Sequence, residues 1–269
     1  MAEDDEKRKQ EFYQRTIGQL DEMYEKVQDD PENQLNLLRY AKGLVNTITI
    51  FGMSGDPEGI DLVLDRFRVI VEEYGHLEEI QNQFATALAN SMSYLMKKQQ
   101  FESMYERLEE LRMFARTYPM NMSCQRSLAG GLVNAIINFG QRELLDPVEQ
   151  LIHELLILGN AHNQNEEIQL ALVKGLVNAM GYLSKHGRYR KAIPLLDELM
   201  DLTGKYPDEE NFILQRANGI VTAINAFGKE KEHEDLVAEL NDELERMAKA
   251  YPNHEGVQLR SKTKSLGRD

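Results

Sequence analysis

Apolar residues along this chain keep spacings of three and four. Between Phe12 and Val27 they are Phe12, Ile17, Leu20, Met23, Tyr24 and Val27, the pattern of an amphipathic helix. The same alternation then repeats in a longer frame. Gly43-Leu44-Val45-Asn46-Thr47-Ile48 returns as Ala87-Leu88-Ala89-Asn90-Ser91-Met92 and as Gly131-Leu132-Val133-Asn134-Ala135-Ile136. It returns again as Gly175-Leu176-Val177-Asn178-Ala179-Met180 and, with threonine for asparagine, as Gly219-Ile220-Val221-Thr222-Ala223-Ile224. Each step is 44 residues. A fixed period in this range predicts stacked helical repeats.

Each unit reads as two helices, A and B. In the fourth, helix A covers about Ile168 to Lys185 and buries Ile168, Leu172, Leu176, Ala179, Met180 and Leu183. Helix B covers about Tyr189 to Lys205 and buries Ala192, Leu195, Leu196, Leu199 and Leu202, with Pro194 expected to bend it or delay its first regular turn. Pro31, Gly75, Pro119, Asn163 and Pro207 punctuate the B-to-A joints at the same period, and Tyr251-Pro252 falls one residue late. Asp56-Pro57 and Asp146-Pro147 each read as an N-cap followed by proline at the first helical position. The predicted layout is a frayed, charged N-terminus at 1–10 and one helical-repeat domain over 11–266. Its units are 36–79, 80–123, 124–167, 168–211 and 212–255, with capping helices at about 8–29 and 256–266. That is about twelve helices, an all-α solenoid of antiparallel pairs. The last cap should carry Arg260, Lys262 and Lys264 on a polar outer face.

The fourth unit contains His186-Gly187-Arg188-Tyr189-Arg190-Lys191-Ala192-Ile193. A glycine, an aromatic two places on and an alanine three further resemble the turn and second helix of a tetratricopeptide repeat. Phe101 with Met104, and Leu145 with Val148, fill the aromatic and alanine places of two other units. The family's usual period is about 34 residues, so the extra length falls in longer helices. HEAT and armadillo repeats are the alternative label at this period. The tetratricopeptide resemblance implies a right-handed superhelix with the A helices on its concave face, where peptide partners bind.

Composition leaves few other readings. Of 269 residues, 42% are hydrophobic and 28% charged, ordinary for a folded chain. The net charge of −14 disfavours nucleic acid as a partner. No apolar run is long enough for a membrane span, and the acidic start lacks the apolar core of a secretory signal, so a cytoplasmic location is expected. Cys124 occupies the place of Ile80, Ile168 and Phe212 and is expected to be a buried small hydrophobe. Six histidines share no repeat position, and no metal, phosphate-loop or dinucleotide motif occurs, so neither an enzyme, a cofactor nor a metal is expected.

Charge is segregated. The A segments 36–53, 80–97, 124–141, 168–185 and 212–229 contain no aspartate or glutamate, although the chain has 45. They do contain Lys42, Lys97, Lys174 and Lys185. Asn46, Asn90, Asn134 and Asn178 share one mid-helix place, and residues four before and four or seven after lie on the same stripe, including Tyr94 and Tyr182. An asparagine amide carries donor and acceptor together and can pair with a peptide unit. It can equally tie one helix to another. Such a ladder is similar to that of tetratricopeptide proteins such as kinesin light chain, where asparagines hold an extended peptide backbone. These ten residues are the candidate peptide site of a non-catalytic scaffold binding an extended, acidic segment. The alternative is a structural subunit that self-associates and has no peptide ligand; the sequence leaves the oligomeric state open.

Overall fold

The computed structural model describes residues 2–263, with side chains from 11 to 262. Lys264, expected on the last cap, lies outside the described residues, as does the expected end of that cap at 266. Among the described residues there are twelve α-helices, one 3-10 turn (Lys231–His233) and no strand. The helices are α1 Ala2–Asp29, α2 Gln34–Ser54, α3 Pro57–Tyr74, α4 Glu78–Lys97, α5 Phe101–Thr117 and α6 Met122–Gln141. They continue as α7 Leu145–Ala161, α8 Glu166–Lys185, α9 Tyr189–Gly204, α10 Glu210–Phe227, α11 Glu234–Ala250 and α12 Glu255–Thr263. Odd numbers are B helices and even numbers A helices. The first cap begins at Ala2, earlier than the apolar pattern indicated.

The chain divides into two compact units, one up to Gly131 and one from Leu132. In the first, α2 packs on α1, α3 and α4, and α4 packs also on α3 and α5. In the second, α8 packs on α7, α9 and α10, and α10 packs on α9, α11 and α12. An A helix thus meets the B helices on either side of it and the neighbouring A helix. All eleven core residues predicted for the fourth unit are buried, and so is Cys124.

Close approach is made at the recurring glycine. A Cβ on Gly175 would lie 2.4 Å from Leu155 Cδ2, one on Gly219 2.6 Å from Leu199 Cδ2, and one on Gly131 3.1 Å from Leu111 Cδ2. For Gly43 the neighbour is Met23 Sδ at 2.9 Å. Met23, Leu111, Leu155 and Leu199 all stand at one repeat place on the preceding B helix.

Three backbone devices repeat with the same period. At the A-to-B turn Gly55, Gln99, Glu143 and Gly187 are left-handed, with φ of 74°, 60°, 63° and 74°. The following N–H closes the helix end by donating to the carbonyl five residues back: Asp56 to Phe51, Gln100 to Leu95, Leu144 to Phe139, Arg188 to Leu183, at 2.9–3.0 Å. This is the glycine-favouring end of a helix, and two of the four positions are not glycine. In the fifth unit the 3-10 turn replaces it.

At the B-to-A joint, glutamines secure the end of the B helix. Gln125 Nε2 donates to Ala115 O at 2.9 Å and Tyr118 O at 3.3 Å. Gln169 Nε2 does the same to Gly159 O and His162 O, at 2.7 and 3.3 Å. Gln258 repeats it to Ala248 O and Tyr251 O, one residue late as the insertion requires. Gln81 reaches Gly75 O at 2.9 Å. Finally Asn33, Asn121 and Asn165 cap the A helices by accepting from backbone N–H groups.

Two local expectations are corrected. Asp56 does cap α3, accepting from Gly59 N at 2.9 Å. Asp146 does not cap α7: the left-handed turn at Glu143 starts that helix earlier, with Leu144 at the N-cap and no side-chain bond. Asp146 is spent on Arg188, 2.6 Å away. The A helices also begin before the acid-free segments, so Glu78, Glu79, Glu166, Glu167 and Glu210 occupy their first turns. Those acids sit where the helix dipole favours them. Pro194 lies inside α9, which runs on to Gly204.

Left-handed non-glycine residues are strained by roughly 1–2 kcal/mol. Gln99→Gly and Glu143→Gly should therefore each raise stability by about 0.5–1 kcal/mol. Gln169→Leu should lower it by about 1–3 kcal/mol, because two carbonyls at a buried joint lose their donor. Urea unfolding midpoints of the three variants check both signs.

Candidate functional site

The predicted stripe reaches the surface on the A helices. On α2, Lys42, Asn46, Ile50 and Met53 are exposed, Met53 by 79%. On α4, Thr86, Asn90 and Tyr94 are half-buried and Lys97 is exposed. On α8, Lys174 and Lys185 are exposed, with Asn178 and Tyr182 half-buried between them. Asn134 on α6 is half-buried. Asn138, one turn further, is buried with its Oδ1 unpartnered. None of the four repeated asparagines lies in the core, because the packing stripe through Leu176, Ala179 and Leu183 turns them outward.

Their bonding differs from one unit to the next. Among the described residues, Asn46 and Asn90 make no side-chain hydrogen bond. Asn178 Nδ2 donates to Lys174 O on its own helix at 2.8 Å. Asn134 has a partner within the protein.

The tyrosines have a packing role that the stripe did not indicate. A Cβ on Gly52 would lie 2.2 Å from the Tyr94 ring, and one on Gly140 2.1 Å from the Tyr182 ring. Each ring therefore covers a glycine of the preceding A helix. Burial raises the Tyr182 hydroxyl pKa, and its hydrogen bond with Gln141 opposes this. Lys97 Nζ stands 5.7 Å from the centroid of the Tyr94 ring. That is a cation–π contact which leaves the ammonium in solvent.

The cations also divide. Among the described residues Lys42 and Lys174 form no ion pair, whereas Lys185 Nζ approaches Glu143 Oε1 at 3.8 Å. Arg216 turns away to bond Glu243 on α11 at 2.7 Å. Lys98 was missed, although its adjacency to Lys97 was visible. It caps α4, and a Cβ on Gly55 would meet its Nζ at 2.3 Å, so its chain lies over the end of α2. Lys97 and Lys98 both stand at a helix C-terminus, where the dipole favours cations.

The B helices hold most of the acids and link to one another by ion pairs. Arg66 meets Asp21 at 2.6 Å, Arg107 meets Asp61 at 2.5 Å and Arg68 meets Glu110 at 2.7 Å in the first unit. In the second, Arg188 meets both Asp146 and Glu149 at 2.6 Å. Hydrogen bonding from Arg188, then Lys191, holds the Glu149 carboxyl below the usual range.

Among the described residues, no group of three or more His, Cys, Asp or Glu side chains could hold a metal ion. Nor is any helix long and apolar enough to cross a membrane. Burial pushes the Cys124 thiol up to about 12, leaving it protonated near neutral pH. Comparison with protein-family models, curated proteins and solved structures finds no match.

Because Asn46 and Asn178 are outside the core, replacing either by alanine should change stability by less than about 0.5 kcal/mol. Thermal melts check this. A loss of several degrees would mean that the ladder serves the stack itself.

Proposed function

We propose that this protein is a non-catalytic scaffold that binds an extended acidic peptide segment. In this reading the helix pairs wind as a right-handed solenoid, with the A helices on the concave side, as the tetratricopeptide likeness implies. The observation that carries the proposal is a combination on the A helices. Beyond their first turns they bear no acid, they expose Lys42, Lys97, Lys174 and Lys185, and they present the amides of Asn46 and Asn90, which bond no other described side chain or backbone group. An extended chain offers one N–H and one C=O per residue, and the asparagine amide matches both. Lysines beside it supply attraction for carboxylates without demanding a particular sequence. The acidic B helices would repel the same ligand and confine it to the A side. Tyr94 and Tyr182, seated on glycines, add flat apolar surface between the polar rungs.

One observation favours a second reading, a self-associating structural subunit. Val69, Met113 and Ile157 occupy one repeat place on α3, α5 and α7 and are 50%, 68% and 58% exposed. An apolar residue repeated at a solvent-facing place is a candidate contact between copies. In light scattering, a monomer at micromolar concentration removes this reading.

Acidic decapeptides should bind more tightly than basic ones of matched length. Affinity should fall as salt rises toward about 0.5 M, where the screening length drops well below 10 Å. Fluorescence anisotropy at several salt concentrations checks this. Salt-independent binding, or a preference for basic peptides, would move the contact face to the acidic helices.

A further inference from the structure

The four rungs are alike in sequence and unlike in bonding, which separates ligand-holding positions from spent ones. Asn46 on α2 and Asn90 on α4 make no side-chain hydrogen bond among the described residues. These two helices pack directly on each other. Asn178, by contrast, has its amide nitrogen tied to Lys174 O at 2.8 Å. Asn134 is already engaged.

The charges follow the same division. On α2 there is no acid at all, and on α4 the only acids are Glu78 and Glu79 in the first turn. Lys42, Lys97 and Lys98 make no ion pair among the described residues. In the second unit Lys185 has Glu143 at 3.8 Å, and His186 Nε2 has the same carboxylate at 3.7 Å. An acidic ligand arriving there competes with Glu143 for its cation. On the α2–α4 face no described carboxylate competes for Lys42, Lys97 or Lys98.

We infer that the acidic peptide is gripped by the first unit, with Asn46 and Asn90 as the two positioning residues and Lys42, Lys97 and Lys98 as its charge partners. This rests on the peptide-scaffold reading above and narrows it. Packed helices lie about 8–10 Å apart, and an extended chain advances about 3.3 Å per residue. Two rungs are therefore spanned by about three residues, so a ligand of about six residues fills the grip. Asn178 then acts as a helix-internal contact with little share in affinity.

The probe is a fluorescein-labelled decapeptide library with Glu or Asp at alternate positions, from which the tightest single peptide is resynthesised and titrated. Asn46→Ala and Asn90→Ala should each raise its Kd by about 2- to 12-fold, the effect of one net hydrogen bond. Asn134→Ala and Asn178→Ala should leave Kd within about twofold, that is, below the effect of one net hydrogen bond. Side-chain amide resonances of Asn46 and Asn90 should shift on titration of the folded wild-type protein, and that of Asn178 should not. Equal losses from all four variants would overturn the first-unit grip while leaving the scaffold reading intact. Failure of every library member to bind would overturn the scaffold reading, and the grip with it. Circular dichroism of each variant guards against misreading an unfolded protein as a non-binder.

Discussion

The close approach of an A helix to the B helix before it governs the rest of each unit. Glycine at one place lets a leucine or methionine from the B helix enter where a side chain would otherwise stand. That contact fixes which way the A helix is turned. Once Gly175 faces Leu155, the Leu176, Ala179 and Leu183 stripe must face the core, and Asn178 must face out. A one-residue rotation of about 100° would bury the asparagine and expose leucine, at a cost of roughly 2–3 kcal/mol for each leucine. The polar stripe is in this sense a by-product of the packing stripe.

The two helix types then divide the electrostatic labour. An A helix has neighbours on several sides, and a charge in its middle would be desolvated unless it faced the remaining open stripe. Lysines meet that condition with long flexible chains. Acids are kept to the first turns, where unpaired N–H groups and the dipole favour them. B helices have a wider solvated face and take most of the acid, and arginines between successive B helices bridge it. Pairs such as Arg66 with Asp21 are partly exposed and contribute little each. Their value lies in neutralising a layer that would otherwise repel itself.

The joints are held by polar side chains rather than by further apolar burial. Gln125, Gln169 and Gln258 each supply a donor to two carbonyls that helix ends leave without partners. Gln99 and Glu143 tolerate a left-handed backbone that glycine adopts without cost at Gly55 and Gly187. Glu143 gains something in exchange, since its carboxylate meets Lys185 and His186. That same contact occupies the Lys185 ammonium.

The sequence by itself determined the period, the helix pairs, the buried residues of the fourth pair, the burial of Cys124 and the shared mid-helix place of the four asparagines. Those depend on hydrophobic periodicity, a local property that five copies repeat. The glutamine register at 81, 125, 169 and 258 was equally open to inspection, as was the match of Gly55 with Gly187. Tertiary structure alone decided whether Asp146 would cap a helix or bond Arg188, and which glycines the two tyrosines would cover. It also decided that the Asn46 and Asn90 amides find no partner among the described residues while Asn178 turns back on its own helix. Each of these is a choice between partners of comparable strength. A difference of about 1 kcal/mol, or a side chain 40-odd residues away in the next repeat, is enough to tip it. Repetition fixes which residue type stands at a place, and only the arrangement of neighbours fixes what its polar atoms touch.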